Sequence, residues 1–453
     1  MTAPGPAADD GSDEALALLR EARPPAAADA ETGEADGDRA QATASQARPA
    51  PRRRAAPWAD ARAVAARAGR TAPARSHRVP LDQAPGEVLT EPLTALTDLP
   101  SFDTSAMDGW AVAGPGPWAL QGGGILAGHA APAALADGEA VRIATGARIP
   151  AGATAVIRSE HARTDAAQTQ LQADRVVLHG QDIRPRGQEC RSGDVLLPAT
   201  ALVTPAVLGL AAAAGYDALA TVPRPRVEIL VLGDELLTQG LPRDGLIRDA
   251  LGPMLGFWLR ALGAEVVGTR RLKDDAGALL RAVTGSSADL VITTGGTAAG
   301  PVDHVHPVLH KAGAELLVDG VAVRPGHPML LAQIGVGKHL VGLPGNPLAA
   351  VSGLLTLAEP LLRELAHRAS PVAYTVPLRN EVQGHPHDTR LVPVVHRSER
   401  VVPLHYNGPA MLRGIAAADG LAVVPPGGAR AGQEVEILDL PWPQAGSGEG
   451  CFT

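Results

Sequence analysis

Five carboxylates, Asp234, Glu235, Asp274, Asp275 and Asp303, each follow a run of strand-forming residues. Near them "DLVITT" runs into Gly295-Gly296-Thr297, a loop with almost no side chains. Adjacent glycines let backbone N–H groups approach an anion without interference from Cβ, at the end of a strand and before a helix. Acids on the same rim suggest Mg²⁺ held between carboxylates and phosphates. Taken singly, each acid reads first as a solvated loop residue, and the glycine pair reads equally as a tight turn with no ligand. "GLPGNPLAA" (342–350) is a second stiff loop at a strand end. Pro344 and Pro347 fix two φ angles and remove two donors, Gly345 permits the turn, and Asn346 can cap the next helix. Simple capping and a preformed oxyanion cradle both fit this loop. "VRPGHP" (323–328) adds Arg324 and His327 on a neighbouring turn. In "DHVHPVLH" His306 and His310 stand one turn apart beside Asp303, but no fourth ligand is suggested, and a polar helix face explains the pair better than a transition metal. There is neither a GxGxxG nor a Walker A lysine, which weakens the dinucleotide and P-loop readings.

The elements that must position these residues lie between 224 and 368. "RVEILVLG" is apolar in its middle, as expected of a strand covered on both faces. A helical pattern follows through Met254, Leu255, Trp258, Leu259 and Leu262, with Gly252-Pro253 at its start. "AEVVGTR", "AGALLRAV" and "DLVITT" read as strand, helix and strand; a further helix is expected over about 304–312. "HPMLLAQI" and "KHLVGLP" read as strands, and "NPLAAVSGLLTLAEPLLRELA" as one long closing helix. This alternation implies a parallel sheet with helices on both faces. Ligands then sit beyond the carboxyl ends of the strands, which puts the glycine loop and "LGDEL" on one rim.

Residues 1–55 have the composition of a disordered tail, acidic first and then basic. Order is expected from "PWADARAVAARAG" (57–69), with Pro57 in the first helical turn and Gly69 as the stop. The expected domains are 56–99 with 185–222, an inserted β-rich domain at 100–184, the α/β domain at 223–368, and a small β domain at 371–440. Residues 441–453 read as a flexible tail. The fold class is thus multidomain α/β, with a Rossmann-like sheet and mostly-β companions. A net charge of −8 and very few aromatics exclude broad nucleic-acid binding, which needs a basic stripe with stacking platforms. Cys190 and Cys451 cannot make a disulfide framework and suit a reducing cytosol. No run suits a signal peptide or a membrane span, so a cytoplasmic protein is expected.

"PSFDTSAMDGWAV" (100–112) packs aspartates and hydroxyls around Met107, and by composition is a loop joining strands. Together with "RIATGARIPAGATAVIRSE", "IRPRGQE", "GDEL", "TTGGTAAGPVD", "RPGHP" and "GLPGNP", it resembles the molybdopterin molybdenumtransferase family, known in bacteria as MoeA and similar to the E domains of gephyrin and the plant Cnx proteins. The resemblance runs from about 58 to 440, with the motifs in family order. It implies four domains, a homodimer, and insertion of molybdate into adenylylated molybdopterin with loss of AMP, assisted by a divalent cation, Mg²⁺. It also implies as partners a second copy of the chain, a small-molecule pterin nucleotide and a molybdopterin adenylyltransferase. Catalytic positions carry over to Asp108, Thr145, Glu189, Glu235, Asp274 and Asp303, with Glu189 where the family usually has Asp. Metal ligation carries over to Glu235, Asp274 and Asp303. Substrate contacts are expected from Gly295, Gly296, Thr297, Arg324, His327, Pro344, Gly345, Asn346 and Pro347. In the dimer the SAMDG and ATGA segments of one copy are expected to face the sheet of the other. Departures cluster at the same site: Arg324 and His327 replace the lysines of KPGKP, Ala298 or Ala299 stands in place of a serine, and Ala250 and Leu251 replace the polar pair after GDEL. These leave two alternatives: a weakened paralogue that binds pterin or acts as a scaffold, and molybdopterin adenylylation, against which the SAMDG and β-domain segments argue.

Overall fold

The computed structural model describes residues 55–128, 132–297 and 304–442. Of the tails expected at 1–55 and 441–453, residues 1–54 and 443–453 lie outside the described residues, as do Ala298, Ala299 and Asp303.

The chain enters through strand β1 (Ala56–Pro57) and helix α1 (Trp58–Arg70). Pro57 has extended backbone and precedes the helix instead of occupying its first turn. Gly69 lies inside α1, not after it. A Cβ there would sit 2.7 Å from both the Glu364 Cβ and the Leu361 carbonyl, so this glycine permits close helix packing. The apolar face of α1 (Trp58, Ala61, Ala65, Ala68) joins the core of the α/β unit, although the sequence groups this segment with 71–99.

Strands His77–Pro80, Val88–Leu89 and Ala218–Val222 form a three-stranded sheet. Helix Pro205–Ala213 shares its apolar core, with Pro205 in its first turn and Thr204 accepting the Val207 N–H. Where the chain leaves this region and later returns, Leu99 bridges to Cys190. Between these points lies a six-stranded sheet that includes Gly109–Val112, Trp118–Ile125 and Glu139–Ile143.

The α/β unit runs β2 (Arg226–Leu232), α2 (Leu251–Ala261), β3 (Glu265–Leu272), α3 (Ala276–Gly285), β4 (Leu290–Thr294), α4 (Val305–Lys311), β5 (Glu315–Asp319), β6 (Val321–Arg324), β7 (Leu330–Gly335) and β8 (Lys338–Leu343). Its sheet has the order β3-β2-β4-β8-β7-β5. The first four strands are parallel, as expected, but β7 runs antiparallel to β8 and β5 antiparallel to β7. The cause is the short turn at Val336-Gly337, too brief for a crossover and able only to fold the chain back. One face is covered by α1, α2 and the closing helix, the other by α3 and α4.

The closing helix is α5 (Pro347–Gly353), a π segment (Leu354–Ala358) and α6 (Glu359–Leu365). Pro360 has no N–H to give. The chain meets this by widening the preceding turn, and the Glu359 N–H reaches back to the Leu354 carbonyl. Glu359 is buried and binds two arginines, Arg62 of α1 at 3.1 Å and Arg363.

The C-terminal sheet runs β1-β6-β10-β11-β12-β9, where β9 is Thr375–Pro377, β10 Thr389–Arg397, β11 Gly420–Val424 and β12 Glu434–Asp439. Strand β6 therefore belongs to this sheet and not to the one its sequence neighbours build. It pairs in parallel with β10, setting Val323 opposite Thr389 and Arg324 opposite Arg390.

Candidate functional site

The carboxyl ends of β3, β2, β4 and β8 stand side by side, so four loops form one continuous rim. At the end of β2, Gly233 has φ +135°, and a Cβ there would meet Glu235 Oε2 at 2.5 Å; the Glu235 carboxylate thus folds over a position only glycine leaves open. The neighbouring Asp234 N–H points to Asp274 Oδ2 at 3.4 Å, which joins the loops after β2 and β3. Asp275 is otherwise engaged: it precedes α3 and its side chain accepts the Ala278 N–H. Glu235 and Asp274 are exposed.

The glycine loop behaves as its composition suggests. Gly295 and Gly296 have φ +81° and +66°, and the Gly295 N–H donates to the Leu343 carbonyl at 2.9 Å. A Cβ on Gly345 would lie 3.8 Å from the Gly295 Cα, while one on Gly342 would strike Thr297 Cγ2 at 2.8 Å. The loops after β4 and β8 are therefore in contact, with Thr297 buried between them.

The LPGNP loop departs from both readings of it. Asn346 precedes α5 but makes no capping hydrogen bond. The Leu348 and Ala349 N–H groups instead donate to the Pro409 carbonyl, at 2.9 and 3.2 Å. Pro347 has no donor, so a protein oxygen already holds the helix start where an oxyanion was expected. The Asn346 side chain is left exposed beside it.

The RPGHP turn packs against α5: a Cβ on Gly326 (φ +115°) would meet the Ala349 carbonyl at 3.1 Å. The His327 Nδ1–H donates to the Val321 carbonyl at 2.8 Å, which holds the ring within its own turn. The Arg324 Nε–H donates to Asp388 Oδ2 at 2.8 Å. The turn, Pro344, Asn346, Arg390, Asn407 and Pro409 line a cleft of about 370 Å³. Reading the sequence linearly missed Arg390 and Asn407. Arg390 NH2 lies 3.4 Å from Asn407 Oδ1. The only local signal for Arg390 was an arginine at the start of an apolar strand.

Asp108 and Thr145 are brought together, since the Thr145 N–H donates to Asp108 Oδ1 at 2.8 Å on the exposed surface of the inserted sheet. Glu189 is separate from them and exposed beside the Leu99–Cys190 bridge, its N–H bonded to the Leu99 carbonyl. Nearby, the Ser192 N–H and Arg186 hold the Asp98 carboxyl below the usual carboxylate range. Among the described residues, the hydrogen bonds of Asp108 and Thr145 all stay within 100–184. His306 Nε2 lies 2.9 Å from Asp319 Oδ1, which accounts for that histidine on a polar helix face. Among the described residues no group of three His, Cys, Asp or Glu side chains could hold a metal. The donors that are present, two exposed carboxylates on adjoining loops, suit Mg²⁺, which keeps several waters and takes one or two protein carboxylates plus phosphate oxygens.

A parallel-sheet rim of glycine loops and carboxylates, continued by two adjacent arginines over a cleft, defines an α/β protein built to handle anionic ligands. Comparison with known proteins narrows that class. Residues 56–215 match the MoeA N-terminal region (domains I and II), 228–364 a probable molybdopterin binding domain, and 375–440 the MoeA C-terminal region (domain IV). A molybdopterin molybdenumtransferase of Staphylococcus aureus (strain COL) is 30% identical over 380 residues, covering 80% of this chain and 90% of its own. Molybdopterin molybdenumtransferase 2 of Mycobacterium tuberculosis (strain H37Rv) is 35% identical over 394 residues, covering 80% and 94%. The crystal structure of the molybdopterin biosynthesis MoeA protein from Pyrococcus horikosii superposes with a TM-score of 0.68 at 25% identity, covering 86% of this chain and 100% of that one. The chain belongs to the molybdopterin molybdenumtransferase family. No helix among the described residues is long and apolar enough to cross a membrane.

Proposed function

We propose that the chain is a molybdenum insertase, which places molybdate into adenylylated molybdopterin with release of AMP in molybdenum cofactor biosynthesis. The observation that carries this reading is the cleft in which Arg324 and Arg390 stand opposite each other on β6 and β10. Arg324 is partly balanced by Asp388, and among the described residues Arg390 meets only the neutral Gln383 carbonyl and Asn407, so the pair keeps net positive charge for an anion. Arginine forks hold two oxygens of a tetrahedral oxyanion at once. Two such forks with Asn346 close by make a seat for molybdate as substrate. His327 lines the same cleft, its ring held to its own turn by the Nδ1–H bond to the Val321 carbonyl. The glycine loop gives the pterin phosphate and the nucleotide close access to the backbone, and Gly345 of LPGNP keeps the neighbouring loop free of a side chain beside it. The work of these residues is to fix two anions in reach of one another.

Glu235 and Asp274, with Asp303, would hold Mg²⁺. When bound, that ion withdraws charge from the phosphoanhydride as AMP departs. Asp108 and Thr145, exposed on the inserted sheet, would face the rim of a second copy; the working unit is then a homodimer in the cytoplasm. A molybdopterin adenylyltransferase would supply the substrate. The test is molybdate-dependent AMP release from adenylylated molybdopterin by the purified chain. ATP-dependent adenylylation of molybdopterin, or pterin binding without AMP release, would overturn the reading. Sedimentation at micromolar concentration tests the dimer, and a pure monomer would remove the second half of the site.

A further inference from the structure

Behind the cleft lining, Arg324 meets one buried carboxylate, Asp388, which is 8% exposed. It lies two residues before Arg390 on the same chain segment, and β10 begins at the residue after it. Its Oδ2 accepts the Arg324 Nε–H at 2.8 Å. The His385 Nδ1 is 3.3 Å from the same oxygen. That nitrogen, however, faces the Asp388 N–H at 3.0 Å and the His387 N–H at 3.3 Å. It is therefore an acceptor, and it offers the carboxylate no proton. Arg324 is the cation that Asp388 holds.

A guanidinium gripped at Nε has one edge committed and the other, with the terminal nitrogens, left to bind. The Arg324 side chain is about half exposed, while the carboxylate that grips it is 11% exposed. The firm end of the pair is thus on the protein side and the free end on the cleft side. We propose that Asp388 is a positioning residue, which aims the free edge of Arg324 at the oxyanion and keeps it from swinging away from Arg390. This rests on the reading of the cleft as an oxyanion seat and adds to it a residue from outside the rim.

Position and charge make opposite predictions here, which is what makes the proposal testable. If Asp388 acted only through its charge, any neutral replacement would tighten anion binding. If it positions Arg324, Asp388→Asn and Asp388→Ala must diverge. The amide oxygen of Asn can still accept the Nε–H while the negative charge is gone. Ala removes the acceptor and frees a side chain with much rotamer entropy to lose on binding.

The experiment is calorimetric titration of inorganic molybdate into the full chain, with wild type, both variants and each variant combined with Arg324→Ala. Far-ultraviolet circular dichroism and melting temperature show that each chain is folded. The expected order is Asn tighter than wild type by a few-fold, and Ala weaker by about tenfold. With Arg324 absent, the two replacements should become equivalent. Tighter binding by both variants, or unchanged binding by both, overturns the positioning role, as does Asn binding more weakly than wild type. If Ala does not fold, Asp388→Ser takes its place: its short side chain does not reach the Arg324 Nε–H, so it must bind molybdate more weakly than Asn, and equal binding by Asn and Ser overturns the positioning role. Wild type that binds no molybdate overturns the oxyanion reading of the cleft itself, and the proposal with it.

Discussion

Gly326→Ala should damage both the stability of the α/β unit and its hold on an oxyanion. The backbone at Gly326 has φ +115°, a region that costs a residue with a Cβ about 1–3 kcal/mol. The added methyl would also meet Met329 Cε at 2.9 Å, the Ala349 carbonyl at 3.1 Å and Ser352 Cβ at 3.2 Å. The methionine tip can move, but the other two belong to α5 and the turn must shift to clear them. Overpacking of this kind adds about 1–3 kcal/mol. The expected loss is therefore about 2–6 kcal/mol. Gly320→Ala is the internal control, with φ +79° and nothing nearer than 3.7 Å to a new Cβ. It should lose only the backbone cost, about 1–2 kcal/mol. Urea unfolding of both, followed by tryptophan fluorescence, reads the difference, because Trp258 is buried in the core of this unit. Molybdate titration should show weaker binding in Gly326→Ala, since a displaced turn carries Arg324 away from Arg390. Equal destabilisation by the two substitutions, or a Gly326→Ala loss below about 1 kcal/mol, would refute the steric argument.

Glu359→Gln should cost about 2–3 kcal/mol in urea unfolding, because Arg62 and Arg363 would lose their shared counter-ion where the structure buries it. His339 is 2% exposed and its Nδ1 has no hydrogen-bond partner; burial holds its pKa below the ordinary imidazole value, with Asp289 pulling weakly the other way. Its stability contribution is thus complete above about pH 6.5 and lost as pH falls through that value, where the unfolded chain takes up the proton first; His339→Leu should flatten melting temperature between about pH 7 and 5. Glu235→Gln and Asp274→Asn should each raise the Mg²⁺ needed for half-maximal AMP release by about tenfold or more, without lowering the melting temperature. An unchanged Mg²⁺ requirement in both would remove these residues from the metal site.

What could be read in the sequence was whatever is decided locally. The apolar middle of "RVEILVLG" marks a doubly covered strand, Gly252-Pro253 marks a helix start, and the glycine pair marks a loop at a strand end; the structure has all three. What could not be read was decided by distant partners. An apolar run says strand but not direction, so β7 and β8 looked like any other pair until their short turn reversed the chain. Gly69 suited a helix stop, yet its meaning lies in contacts with Leu361 and Glu364. Asn346 suited a cap, yet Pro409 took that role from another domain. The motif positions on the rim were legible because glycine, proline and acid have few other uses at strand ends. Arg390 and Asp388 were not, because their importance comes from the pairing of β10 with β6.

The bond from the Pro409 carbonyl to the first amides of α5 gives the site a built-in gauge of domain motion. Leu348 and Ala349 have their acceptor on the C-terminal domain, so exchange of these two amides with solvent deuterium requires that contact to break. Their exchange rates would count the openings of the cleft directly, and a bound oxyanion that draws the domains together should slow both in step. Each opening also changes what the helix offers. A start that is closed to anions at rest would present two unspent donors to whatever entered.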